Sequence, residues 1–233
     1  MCYLLVRAPE ASRIRHTRWR LCTIVGAIWL PPPRKERVVL VVEAPPTTQR
    51  APAKGRILDT ANTLFYEDGI RNVGVDRIIS ASAVTKATFY KHYRAKDNLI
   101  VEYISSRHER VRADLEAIIA TEPDARSALA SFVGSIVTEI DSPGFRGCPF
   151  INAAAEFPES EHPVRRIVTM HREWYVETLA GLLRELGHPV PGDAADELLL
   201  ARDGAMAGGY AGDPVAASTA LVRIANRVIA QAR

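Results

Sequence analysis

Between Ser82 and Lys96 the chain reads SAVTKATFYKHYRAK, which packs two threonines, a histidine, three aromatic rings and four basic groups into fifteen residues. Cations and hydroxyls at this density suit charge-assisted hydrogen bonding to an anion, a chemistry that needs no covalent step. A core segment would not carry Lys86, Lys91, Arg94 and Lys96 together, because an unpaired buried charge is expensive. A purely solvated face would not want Phe89, Tyr90 and Tyr93. The stretch therefore needs one buried face and one face that meets an anion.

Covalent chemistry has one candidate. Cys148 with His162 or His171 would supply a nucleophile and a base, but the thiol sits in GCPFINAAAE, which has no oxyanion-type glycine loop, and reads better as a packed residue. A Cys148-dependent enzyme is the remote alternative, and no enzyme is expected. His162, His171 and His188 lack metal-ligand spacing and no phosphate-binding glycine loop is present, so neither a metal nor a cofactor is implied. Glu156, Glu159 and Glu161 read as a solvated acidic corner.

Charge divides the chain. The net charge is +3, yet basic residues exceed acidic ones by 6 over residues 1 to 50 and by 3 over 51 to 110, while acidic residues lead by 6 over 111 to 233. Such asymmetry fits a nucleic-acid-facing half joined to a half that binds something else; an unequally charged surface with no partner fits it as well. Cys2, Cys22 and Cys148 form no CxxC pair or disulfide framework, which suits a reducing cytoplasm. Residues 1 to 50 match nothing downstream. Arg13, Arg15, Arg18 and Arg20 precede the ten-residue apolar run LCTIVGAIWL, too short to span a bilayer, and a proline-rich linker composition follows. An ill-ordered extension, a product of a start site placed too far upstream, is the first reading, and a signal sequence is the second.

The elements that must hold the basic stretch are helices. Ile57, Leu58, Ala61, Leu64 and Phe65 recur at helical spacing and Gly69 stops that helix; Val75, Ile78 and Ile79 mark a short second one; Thr85 caps a third whose inward positions are Val84, Phe89 and Tyr93. Phe89 and Tyr93, four apart on the buried side, leave Lys86, Tyr90, Lys91 and Arg94 on outward stripes. A helix so held, showing Thr, Lys, Tyr and His outward, is built like a recognition element for the major groove of DNA. An ordinary three-helix module with a solvated basic face has the same periodicity.

The run ILDTANTLFYEDGIRNVGVDRIISASAVTKATFYKHYRAKDNLI, from Ile57 to Ile100, resembles the N-terminal domain of the TetR family of bacterial transcriptional regulators almost position for position. The resemblance implies that Thr85, Lys86 and Thr88 read bases, that Tyr90, His92 and Lys96 hold the phosphate backbone, and that Lys91 does either. Arg50 and Lys54, before and at the first helix, are expected to add phosphate contacts as an arm. Two positions depart from the family pattern: Ala83 stands at the usual turn glycine, and Ala95 where a small hydroxyl residue often caps the fourth helix.

Downstream of Lys96 the pattern stays helical: one long helix to about Thr121, then segments at about 125 to 140, 149 to 156, 163 to 187, 194 to 209 and 214 to 232, with Asp193 and Asp213 as N-caps. The expected fold is all-α with about nine helices. The expected domains are an extension over 1–50, a helix-turn-helix domain over 51–98 and an effector-binding and dimerisation domain over 99–233. The glycine- and alanine-rich RDGAMAGGYAGD and the stripe of the last segment suggest a dimer seam through Ala205, Gly208, Gly209, Leu221, Ile224 and Val228; packing within one chain is the alternative. Met170, His171 and Trp174, spaced to share a face, join Cys148 and Asn152 as candidate ligand contacts for a small, mostly apolar effector, and a satisfied core face is the alternative there. The implied partners are a palindromic double-stranded DNA operator, that effector and a second copy of the chain, with no membrane. The implied function is a ligand-responsive repressor; a constitutive or activating DNA-binding dimer is the alternative.

Overall fold

A computed structural model describes residues 52–232, and these belong to one compact unit, Thr48–Arg233. Nine α-helices and no strand occur among the described residues, as the periodicity leads one to expect. The extension expected over 1–50, Arg50 included, lies outside them.

The ends of the first three helices, of which α2 and α3 are short, have local causes. α1 (Ala53–Asp68) stops at Gly69, whose φ of 88° takes a conformation that L side chains rarely adopt. α2 (Val75–Ser82) ends on Ala83 in the left-handed region at φ 51°, the one positive-φ residue other than glycine among the described residues. That conformation costs an alanine about 1 kcal/mol relative to glycine. α3 (Lys86–His92) starts where Thr85 accepts a hydrogen bond from the Thr88 amide at 3.1 Å. Its Phe89 is fully buried, with Tyr93 just beyond, against Ile57, Ala61 and Phe65 of α1, Ile78 of α2 and Leu99 of α4 (Lys96–Thr121). At 1.5 Å per residue α4 is about 39 Å long, so it runs from this small core into the rest of the molecule.

The remaining helices are α5 (Ala125–Ile140), α6 (Pro149–Glu156), α7 (Pro163–Glu185), α8 (Pro191–Ala211) and α9 (Pro214–Ile229). Four begin with proline, where a missing N–H breaks no intrahelical bond. Asp124 and Asp213 cap α5 and α9 by accepting backbone N–H bonds. Asp193 does not cap α8. The helix starts two residues earlier, at Pro191, and Asp193 sits in its first turn, where an acid still complements the helix dipole.

Two expectations about shared faces are corrected. Met170 and His171 are neighbours in sequence, about 100° apart on a helix, and α7 buries His171 while leaving Met170 exposed. Gly209 and Val228, placed on the dimer seam, are used inside the protomer: Val228 is fully buried, and a Cβ on Gly209 would lie 2.6 Å from Cγ2 of Ile140 on α5. Ala205, Gly208, Leu221 and Ile224 do line a shallow groove between α8 and α9, with Ala205 and Leu221 at its buried floor.

The glycines of the large domain are thus unequal. Gly209→Ala gains roughly 1 kcal/mol of helix propensity but forces a stiff, buried isoleucine aside, so a net loss of about 1–2 kcal/mol is expected. Gly134→Ala, with nothing within 4 Å of the new methyl, should instead stabilise by about 0.5–1 kcal/mol. Urea unfolding of the two variants measures both signs.

Candidate functional site

The outward face of α3 is formed as its residue types imply. Lys86, Tyr90, Lys91 and His92 are exposed and Arg94 follows them, while Phe89 and Tyr93 anchor the other side. Only a loose ion pair restrains Lys86, 3.9 Å from the exposed Asp76 carboxylate of α2. Thr85 and Thr88 are partly committed, since their hydroxyls hydrogen-bond each other at 2.8 Å as well as closing the cap. The two remaining basic candidates are also engaged. Lys54 pairs with Glu102 of α4 at 2.9 Å, and Lys96 donates to the Ile70 carbonyl at 2.6 Å while lying over the Phe65 ring. Burial lowers the Lys96 pKa, with Glu156 opposing. These two lysines tie the small three-helix core to α4, and the unconstrained positive face belongs to α3.

A second set of bonds ties that core to α6. The Glu156 carboxylate, at the end of α6, accepts from the backbone N–H of Ile70 at 2.9 Å and of Arg71 at 2.7 Å, in the turn between α1 and α2. It is half-buried, not the solvated corner that its neighbours Glu159 and Glu161 form. At the other end of α6 the Tyr66 hydroxyl of α1 accepts from the Arg146 N–H at 2.9 Å and donates to the Gly147 carbonyl at 3.0 Å. The last residue of a two-turn helix and the turn that leads into its first are therefore hydrogen-bonded to the domain that carries α3.

α6 is also a cavity wall. Cys148, Phe150, Ile151 and Ala154 face Arg165, Val168, His171, Arg172 and Tyr175 of α7, and Leu199 and Arg202 of α8, across about 250 Å³. Phe150 stacks on His171 with ring centroids 3.6 Å apart. His171 Nδ1 lies 3.1 Å from His108 Nδ1 of α4, so one of these nitrogens donates and the other accepts. Burial, with Arg202, His108 and Arg172 adding like charge, lowers the His171 pKa to about 3. Of the five residues expected to contact a ligand, Cys148 and His171 line the cavity. Trp174 sits behind it, edge-on to His108; Asn152 turns away to the Arg146 carbonyl; Met170 faces outward.

Among the described residues no histidine is hydrogen-bonded to the thiol. Cys148 Sγ accepts from Arg202 Nη1 at 3.2 Å, His171 is committed to His108, and His162 caps α7 through Nδ1. Among the described residues no three His, Cys, Asp or Glu groups gather to hold a metal, and no helix is long and apolar enough to cross a membrane.

Sequence reasoning missed Arg202, Arg165, Arg172 and Glu156. Arg202 was legible in principle: it stands four residues from both Leu198 and Met206, on the stripe that α8 turns to the core. Glu156 gave no local signal, because its partners lie 85 and 86 residues away.

Comparison with known proteins agrees with this geometry. The family model described as bacterial regulatory proteins, tetR family, matches residues 57–103. A crystal structure of SCO4454, a TetR-family transcriptional regulator from Streptomyces coelicolor, is 40% identical, with a TM-score of 0.75 over 77% of this chain and 95% of that one. The HTH-type transcriptional repressor KstR2 of Rhodococcus jostii (strain RHA1) is 26% identical over 61% of this chain and 66% of its own length. The HTH-type transcriptional repressor DhaR of Mycobacterium sp. (strain GP1) is 24% identical over 54% and 63%. The chain thus spans slightly less than two thirds of these two repressors. The Escherichia coli NemR structure, at 19% identity and a TM-score of 0.64, shares the fold.

The buried histidine makes stability depend on acid. His171 ordinarily titrates near 6.5 and here near 3, so between those values the unfolded chain holds a proton that the folded chain does not. Stability is therefore lost as pH falls from about 6.5 toward 3, by up to about 1.4 kcal/mol per pH unit from this group. A His171→Phe variant should show a shallower fall of thermal midpoint between pH 6.5 and 4.5.

Proposed function

The chain belongs to the TetR family of bacterial transcriptional regulators, and on that premise we propose that it is a ligand-responsive repressor whose homodimer binds a palindromic operator in the cytoplasm. Residues 51–98 serve as the DNA-binding domain and residues 99–233 as the effector-binding and dimerisation domain. The observation that carries the reading is the double attachment of α6: one short helix walls the cavity and is hydrogen-bonded, through its last residue and the turn that leads into its first, to the domain that presents α3. A molecule that moves α6 must break or drag these bonds, and with them the turn between α1 and α2. It releases DNA only by as much as it prefers the released arrangement, so a hundredfold loss of operator affinity requires about 2.7 kcal/mol of differential binding.

Repression is supported by the relatives named as repressors, and dimerisation by the surface of α8 and α9. Leu200, Tyr210, Val215 and Val222 are exposed there beside the shallow groove holding Gly208 and Ile224. Two copies packed across that face would present two α3 helices to a two-fold symmetric site, doubling the base contacts that one seven-residue helix can make. In DNA, Lys86, Thr85 and Thr88 at the start of α3 meet bases, while Tyr90, Lys91 and His92 meet phosphates, the helix N-terminus adding its own N–H groups. Lys54 and Lys96 contribute by holding the head on α4.

Fluorescence anisotropy on an inverted repeat taken from upstream of the gene tests this reading. One dimer per repeat is expected, with affinity falling steeply as salt rises because phosphate contacts release counterions. Tyr90→Ala should weaken all sequences alike, and Lys86→Ala should also relax discrimination at one base pair by about 1–3 kcal/mol. Monomeric binding to asymmetric single sites, or unchanged affinity in both variants, contradicts it.

A further inference from the structure

Resting on that reading, we propose that the cavity bounded by α6, α7 and α8 takes a small organic monocarboxylate: an apolar body against Phe150, Ile151, Val168 and Leu199, and its anionic head against the guanidinium groups of Arg202 and Arg165.

The lining of the cavity is cationic. Three arginines, Arg165, Arg172 and Arg202, line the cavity and no carboxylate does. Arg202 is only 6% exposed, and a buried cation needs a counter-charge. The available one is Asp203, which pairs with Arg202 Nη1 at 2.8 Å and with Arg172 as well, so one carboxylate serves two guanidiniums. Glu139 also acts on Arg202, from a neighbouring hollow that Arg202 and Tyr175 line together with Asp114, while no carboxylate lines the cavity itself. The cavity side stays cationic.

Hydrogen-bonding capacity points the same way. Arg202 spends Nη1 on Cys148 Sγ and Asp203, and Arg165 spends Nη1 on the carbonyls of Phe157 and Pro158. The Nε of each is buried without a hydrogen-bond partner. Both guanidiniums line the cavity with part of their donor capacity unspent, and a buried donor left unpaired costs about 1–3 kcal/mol, so an added anionic acceptor is favoured there. Thiol sulfur is a weak acceptor, so a carboxylate oxygen replaces it at Arg202 with net gain. At about 250 Å³ the space lies at the small end for ligand sites, which suits one ring or a short chain, and its apolar walls disfavour a dianion such as a phosphate ester.

Occupancy would act on α6 directly. Phe150 stacks directly on His171 in the cavity wall and Glu156 ends the same helix on the α1–α2 turn, so an acid seated beside that ring pair pushes on α6 and on the attachment that the operator-bound form uses.

The test titrates hexanoate, octanoate, benzoate and phenylacetate, each beside its primary amide, into the full-length protein by calorimetry, then repeats the active pairs with operator DNA present. At least one acid should bind at least about tenfold tighter than its amide, and Arg165→Gln should lower that acid's affinity by about tenfold or more while leaving amide binding within twofold. Arg202→Lys, checked for folding by circular dichroism, should lower it as well. An amide that binds as well as its acid, acid binding indifferent to Arg165→Gln, or no acid binding at millimolar concentration overturns the inference. Acid binding that leaves operator affinity unchanged supports the anion site and sinks the ligand-response reading, whereas release of operator by the amides alone does the reverse.

Discussion

Two backbone amides, those of Ile70 and Arg71, share the carboxylate of Glu156, and the relation between the two halves of the molecule depends on that contact. A turn leaves its N–H groups without partners in regular structure, and one carboxylate here accepts from both, the Ile70 amide partly buried and the Arg71 amide at the surface. Gly69 makes the approach possible. Its positive φ, which L side chains rarely adopt, turns the chain sharply after α1, whereas a Cβ there would meet the Glu156 carboxylate only at an ordinary contact distance of 3.6 Å. Lys96 completes the arrangement by donating to the Ile70 carbonyl, so α4 and α6 grip one residue from opposite sides. The position of α3 follows, because α2 and α3 hang from this turn.

The second constraint is the buried guanidinium of Arg202. Ion pairs of this kind contribute little to stability against an apolar replacement, so their presence calls for another explanation. Here the cation sits between Tyr175, over whose ring it lies at 5.4 Å, the Cys148 thiol and Asp203, with one donor unused. Burial and Arg202's like charge keep His171 neutral, and a neutral ring can stack on Phe150 without the desolvation cost of an imidazolium. Burial first and this cation second thus keep the neighbouring ring neutral, and the cation gives the cavity its polarity.

Helix existence was legible because apolar spacing is a local property. Ile57, Ala61 and Phe65, or Leu129, Phe132, Val133 and Ile136, declare a face without reference to anything distant. Caps were legible where the side chain meets its own helix, as at Thr85 and Asp213, and misleading where proline had already begun the helix, as at Pro191 before Asp193. The outward face of α3 was likewise visible, since Phe89 and Tyr93 fix which side is buried. The cavity was only partly legible. Cys148 and His171 stood out as reactive types, whereas the groups that set its charge are arginines of α7 and α8. Gly209 read as a seam residue because its close partner, Ile140, is remote in sequence. Side chains whose partners lie dozens of residues away announce their type but not their task.

The account rests on the attachment of α6 to the reading domain, and operator affinity of a Glu156→Ala variant tests it most directly, with Glu159→Ala on the exposed neighbouring carboxylate as reference. Removing the shared acceptor should weaken operator binding by about tenfold, the equivalent of roughly 1.4 kcal/mol, while Glu159→Ala leaves it within twofold. Equal affinity for the two variants would mean that α3 is positioned without α6, and would contradict the account.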